Sequence, residues 1–316
     1  MRLEERDVAL LRCPATGQPL QRLPDGRLAT GDRRHTYDVS AHGIPLFAVG
    51  ALSNDAATQQ RHYDRIAALY VESLGYPHTI EYSAYLDRVL MDAVVPSRLG
   101  LVAEICCGRG EACRLLQDKT GRLVGVDISA KMLEQAAHDL GDRCLFLQGD
   151  ATRIPLASAA FDSVFILGGI HHVNQRSALF AEVFRILKPG GYFYWREPVS
   201  DFFLWRWIRA VIYRISPQLD SQTERPLLWE ETVPVLEQAG FTVEVWKTVG
   251  FLGFCLFMNA DVLIFNRLFR FLPGIRRLTR LFCAIDDATT RTSALERSGL
   301  IVVGRARKPP AAEKAA

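Results

Sequence analysis

Acids and glycines placed where apolar runs end carry most of the chemistry open to this chain. The run Leu101, Val102, Ala103, Ile105 encloses Glu104 and ends in Cys106-Cys107-Gly108-Arg109-Gly110. A helix-like stretch, 111–117, follows at once. The pattern predicts strand, tight turn, helix. Gly108 and Gly110 let a ligand approach the backbone where a side chain would collide. The helix start behind them offers unpaired N–H groups to a carboxylate or another polar group. A second apolar run ends in Asp127, about 20 residues past the turn, where an acid accepts hydrogen bonds from the ribose hydroxyls of a nucleoside. His171 and His172 follow a third run, 161–167. A neutral imidazole there can take a proton from a hydroxyl or an enol. The plainer alternatives are a helix-capping acid at Asp127, a turn acid at Asp150, and a histidine that packs or caps. A phosphate-binding dinucleotide turn has a similar outline. It would need another glycine where Cys113 stands.

These residues need a scaffold, and the chain spells one out. The run 144–147 leads into Gly149-Asp150-Ala151, then Ile154-Pro155-Leu156. A helix is predicted over 177–187, with Leu179, Phe180, Val183, Phe184 and Leu187 on one face. Lys188-Pro189-Gly190-Gly191 is a helix stop. Further strands are expected at 192–197, 241–249 and 300–303. Strands alternating with helices imply a doubly wound α/β sheet, whose ligands bind at the carboxyl ends of the strands.

The ordered set E-x-x-C-G-x-G, strand-end Asp127, G-D-A, I-P-L, F-D-S-V and L-K-P-G-G resembles the class I S-adenosylmethionine-dependent methyltransferases. It is most similar to the small-molecule branch that includes the ubiquinone and menaquinone methyltransferases, over residues 59–305. One departure is Cys106, where that family often has its first glycine. The resemblance implies a Rossmann-like sheet and S-adenosyl-L-methionine as cofactor. It implies that Glu104 orients the methionine amino group, directly or through water, and that Cys107, Gly108 and Gly110 line the methionine with backbone. Asp127 would hold the ribose and Ile128 would pack on adenine. Asp150 would accept from the adenine amino group, and the Ala151 N–H would meet the ring. Gly168 would leave room beneath the sulfonium. Tyr63 and Tyr70 share one face of a helix that in relatives closes over the cofactor; core packing is the alternative for both. Of the two histidines, His171 is slightly favoured as the base.

Composition narrows the class. At 316 residues, 49% hydrophobic and 23% charged, the chain suits one large α/β domain with an accessory piece. A net charge of +3 does not by itself point to nucleic acid. Seven cysteines without paired spacing, apart from Cys106-Cys107, suggest reduced thiols in a cytoplasm. The charged start lacks a signal-peptide core, no apolar run is long enough for a membrane span, and the tail 308–316 is expected to be disordered.

Residues 1–52 form the accessory piece. Cys13-Pro14-Ala15-Thr16 and the segment 37–47 are similar to the small zinc-ribbon domain that activates several RNA and protein methyltransferases. Thr16 stands where the second thiolate of a C-P-x-C knuckle belongs, and no later C-x-x-C follows in this region. Cys13, His35 and His42 fall short of the four ligands a structural zinc needs. A metal-free, β-rich module packing through Ile44, Leu46 and Phe47 is therefore expected.

A helical connector and cofactor lid is expected over 53–98, and the methyltransferase domain over 99–307. Two aromatic insertions, at about 198–228 and 250–296, should face the acceptor, with Trp205 and Phe254 as candidate substrate-binding residues. Arginines 267, 270, 276, 277 and 280 are interleaved with apolar residues in the second insertion. That mixture suits an interfacial helix, an apolar pocket or an ordinary packed lid. The expected reaction is O-methylation of a small, lipophilic acceptor of secondary metabolism by a cytoplasmic enzyme, with peripheral contact at the inner face of a membrane. An RNA or protein methyltransferase, or an inactive cofactor-binding partner subunit, are the alternatives.

Overall fold

The computed structural model describes residues 3–48, 56–58, 75–215, 225–257 and 264–311. Tyr63 and Tyr70 lie outside these residues, as does the expected boundary near residue 52.

The acids end the strands of a seven-stranded sheet, built from β4 (Val102–Ile105), β5 (Leu123–Asp127), β6 (Cys144–Gln148), β7 (Phe161–Leu167), β8 (Leu187–Pro198), β9 (Thr242–Val249) and β10 (Ile301–Arg307). The order is β6-β5-β4-β7-β8-β10-β9. All pairings are parallel except those of β10 with β8 and β9. Every residue of β4 is buried, as expected of a strand covered on both faces. Alternate residues of the central strands feed two apolar clusters. Ala103, Val124, Leu145 and Val164 belong to one; Val102, Leu123, Phe146 and Phe165 belong to the other. The order reverses between β4 and β7, which opens a crevice at their carboxyl ends. This is the doubly wound Rossmann-like architecture the periodicity predicts.

The helices that position the site are α2 (Pro77–Ala93), α3 (Glu111–Leu116), α4 (Ala130–Leu140) and α5 (Arg176–Ile186). Farther out lie α6 (Phe203–Ile215), α7 (Trp229–Gln238), α8 (Phe251–Phe257) and α9 (Ile275–Thr290). Ser129 caps α4 by accepting from the Met132 N–H at 3.4 Å.

A short helix, α1 (Glu5–Val8), precedes three strands, β1 (Leu20–Arg22), β2 (Leu28–Thr30) and β3 (Thr36–Tyr37), which form a small antiparallel sheet. Leu11, Cys13, Leu20, Leu28, Tyr37 and Phe47 pack in one cluster with Val124, Leu145 and Leu156 of the large domain. The Cys13 thiol meets the Tyr37 hydroxyl at 3.0 Å. Among the described residues, no three His, Cys, Asp or Glu side chains come together as a metal site would need.

Two expectations are corrected at the carboxyl end. The last strand runs through Arg307 rather than stopping at 303. At Gly304, in its middle, a Cβ would lie 1.9 Å from Trp195 Cε2, so the glycine admits the indole. The expected tail begins with a fixed residue: Lys308 Nζ donates to the carbonyls of Phe184 (2.6 Å) and Leu187 (2.7 Å). No helix among the described residues is long and apolar enough to cross a membrane.

Candidate active site

The turn after β4 is held from below. Glu104 is buried, and its two carboxylate oxygens accept the N–H groups of Ala112 (2.8 Å) and Cys113 (2.9 Å). These are orphan donors at the start of α3, so the strand acid caps the next helix. Burial pushes the Glu104 carboxyl up to about 7, against the pull of the two amides. Glu104 is absent from the cavity wall, and each of its oxygens accepts a backbone N–H. Gly110 is also off the wall. Its φ is +76°, and a Cβ would sit 2.9 Å from Leu140 Cδ1, so it serves turn geometry and packing. Cys106 keeps the left-handed backbone of the glycine it replaces, with φ +54°.

Above the turn lies a cavity of about 610 Å³, within the size range of small-molecule sites. Asp127 enters it with a fixed orientation, because Oδ2 accepts the Gly108 N–H at 2.7 Å and Oδ1 the Ser129 N–H at 2.9 Å. Cys107, Gly108, Ile128, Asp150, Ala151 and Gly168 line the same cavity. Asp150 Oδ1 accepts from both the N–H (2.8 Å) and the hydroxyl (2.7 Å) of Thr152. Val126, Met132 and Leu167 add apolar wall. Gly168 has φ +74°, and a Cβ there would meet nothing within 4 Å, leaving open room at the end of β7.

The two histidines have different places. Glu197, fully buried near the end of β8, accepts the N–H groups of Gly169 (2.7 Å) and Ile170 (2.8 Å). Its other oxygen lies 2.8 Å from His171 Nδ1. His171 therefore faces away from the cavity, and its ring lies 3.8 Å from that of His172. His172 is the histidine on the wall. The slight preference for His171 gives way to His172, because Glu197 draws the first ring behind the second.

Residue-type reasoning missed Glu197 and its neighbour Arg196. Arg196 lines the cavity and bridges Asp87 of α2 (2.5 Å) and Glu111 of α3 (2.7 Å). Both close an apolar strand, the signal that singled out Asp127. Trp205 and Phe254 do not line this cavity. Their rings meet edge to face at 6.1 Å, and Trp205 is buried. They pack α6 on α8.

Residues 103–195 match the methyltransferase domain family. The chain is 30% identical to a 27-O-demethylrifamycin SV methyltransferase of Amycolatopsis mediterranei, over 45% of this chain and 55% of that one. It is 31% identical to a 2-phytyl-1,4-naphtoquinone methyltransferase of Thermosynechococcus vestitus, over 45% and 64%. It is 34% identical to a demethylmenaquinone methyltransferase of Lactococcus lactis, over 28% and 38%. The chain thus spans between 38% and 64% of the length of these relatives. Among solved structures, the cyclase SpnF shares the fold at TM-score 0.56 and 19% identity, over 83% of this chain and all of that one. A chain from the complex of the Haloferax volcanii Trm112 methyltransferase activator does so at TM-score 0.53 and 16% identity, over 82% and 100%.

Fold, strand-end acids and family match define a class I methyltransferase domain. Its cofactor is S-adenosylmethionine. The cavity suits that group: a fixed acid for a ribose at Asp127, a second for an adenine amino group at Asp150, flat apolar wall between them, and open space at Gly168.

Proposed function

We propose that the whole protein methylates an oxygen of a small, lipophilic acceptor. The observation that carries this is the row Glu197–His171–His172, which brings an imidazole to the cavity beside Gly168 and Gly169. When bound, S-adenosylmethionine supplies a methyl group activated by its sulfonium. Asp127, Asp150 and the backbone of Cys107 and Gly108 hold the cofactor and fix its orientation. His172, as a neutral imidazole, takes the proton that the acceptor hydroxyl or enol loses as its oxygen attacks the methyl carbon. His171 donates Nδ1–H to Glu197 and holds the His172 ring by close, tilted ring contact, so both act as positioning residues. Ile80, Ala84 and Asp87 of α2 and Arg196 of β8 form the wall on the side of α2. Placing the reactants face to face accounts for much of the rate.

Relatives whose names specify a rifamycin and a naphthoquinone support a bulky, weakly polar acceptor. The outer surface supports a lipid-borne one. Phe203, Leu204, Trp207 and Ile208 fall on one face of α6 and are exposed, Trp207 at 75%. Leu268, Phe271 and Leu272 are exposed too, in a stretch where arginines 267, 270, 276, 277 and 280 are also exposed. Apolar anchors with arginines fit the anionic face of a membrane. The test is transfer of labelled methyl from S-adenosylmethionine to a panel of quinols, naphthols and phenols dispersed in detergent. Label on oxygen is the expected result. A protein that binds cofactor yet methylates only polar, water-soluble acceptors would overturn the reading.

A further inference from the structure

We propose that the amino-terminal module is an in-chain brace that sets the geometry of the cofactor loop 149–157, so that cofactor affinity depends on the seam between them. The proposal rests on the assignment of the cavity as the cofactor site.

β6 is an edge strand, and an edge leaves N–H and C=O groups without partners. The module occupies that edge where β6 ends. The Gln148 N–H donates to the Pro45 carbonyl at 2.9 Å, and the Phe47 N–H donates to the Gln148 carbonyl at 2.9 Å. Seven to nine residues on, the module grips the chain again. The Arg12 N–H donates to the Pro155 carbonyl at 3.0 Å, and the Ala157 N–H donates to the Leu10 carbonyl at 2.8 Å. Between the two clamps lie Gly149, Asp150, Ala151 and Thr152, all on the cavity wall.

The loop has a second support. Glu182 of α5 accepts the Ile154 N–H at 2.7 Å, and Arg185 donates to the carbonyls of Ile154 and Leu156. The helix therefore holds the loop from one side, and the module fixes its two ends. The clamp reaches the adenine wall as well, because Gln148 Nε2 donates to the Ile128 carbonyl at 3.1 Å. Inside the module the support continues: the Phe47 ring lies edge-on to Tyr37 at 4.9 Å, and Tyr37 meets the Cys13 thiol. A hydroxyl–thiol contact and an aromatic pair thus anchor the strand segment that pairs with Gln148. Asp7, buried, and Arg122, just before β5, add an ion pair at 2.6 Å across the same seam.

The test uses the full chain and S-adenosylhomocysteine. Phe47→Ala should raise its Kd about 5- to 20-fold, while Phe47→Leu restores most of the affinity. Leu236→Ala, near the opposite edge of the sheet, serves as a control for lost stability and should leave Kd within twofold. Hydrogen exchange without cofactor should show the amides of 148–157 exchanging at least tenfold faster in Phe47→Ala, and unchanged in Leu236→Ala. Equal Kd in Phe47→Ala and wild type, or equal losses in both alanine variants, would overturn the brace. If wild type fails to bind S-adenosylhomocysteine, the cofactor assignment fails, and exchange alone still decides whether the module orders the loop.

Discussion

Asp127→Ala is the sharpest perturbation of the site. The carboxylate is fixed by the Gly108 N–H at 2.7 Å and the Ser129 N–H at 2.9 Å, and it faces the cavity. In the cofactor reading, this carboxylate accepts from a ribose hydroxyl. A hydrogen bond to a charged group is worth about 1.5–3 kcal/mol. At about 1.36 kcal/mol per decade, the loss corresponds to roughly 10- to 150-fold weaker binding. Alanine also removes an acceptor from two backbone amides, which costs on the order of 1 kcal/mol of stability. Asp127→Asn separates the two effects, since its oxygen still serves one amide while the charge is gone. Titration calorimetry with S-adenosylhomocysteine reads the affinity, and thermal unfolding of the same samples reads the stability. An affinity within twofold of wild type, in a variant that unfolds cooperatively, would remove Asp127 from the site. Tight binding of a nicotinamide dinucleotide would remove the methyltransferase reading with it.

His172→Gln should lower kcat about 10²- to 10⁴-fold with cofactor Kd nearly unchanged, the range for loss of a general base. Single-turnover rates check this, and an unaltered rate would mean that placement alone drives transfer. Glu104 gives a pH signature. Its carboxyl rises from 4.5 to about 7 on folding, so its contribution to stability is fully present below about pH 4.5 and is lost as pH rises through 7. Relative to Glu104→Gln, wild type should therefore lose up to about 3 kcal/mol between those limits, read by urea denaturation at several pH values; a flat difference would refute it. Changing Arg276 and Arg277 to Gln together with Trp207→Ser should abolish sedimentation with vesicles containing phosphatidylserine. Wild type that never sediments with them would end the membrane assignment.

Much of this was legible because buried parallel strands advertise themselves. Asp127 and Asp150 could be found from one-dimensional pattern, since each closes an apolar run and meets the cavity. Glu104 obeys the same pattern but turns to the amides behind the turn. Sequence fixes that an acid ends a strand, while the rotamer decides whether it faces a ligand or the amides of Ala112 and Cys113. The histidine order failed for a related reason. His171 and His172 are neighbours in the chain, and only Glu197, 26 residues from His171, selects between them. Trp205 and Phe254 meet each other away from the cavity, and aromatic composition is the same in a pocket wall and in a helix–helix seam. The second half of β10 carries Gly304, Arg305 and Arg307, a stretch without an apolar run, although Gly304 is what admits Trp195.

The turn at Cys106 has a consequence for the order in which this sequence can change. With φ +54°, Cys106 projects its Cβ toward the end of β7, and a Cβ on Gly169 would lie 2.3 Å from it. The two positions are thus negatively epistatic. Starting from this chain, Gly169→Ala is blocked while Cys106 is present. Once Cys106→Gly has occurred, the alanine faces mainly Ile166 Cγ2, at 3.0 Å. The reverse order passes through an intermediate that must displace the glycine turn itself. A double-mutant cycle should show strong coupling between the two sites, although they are 63 residues apart in sequence. A lineage that acquires the cysteine is thereby committed to glycine beside its histidine pair.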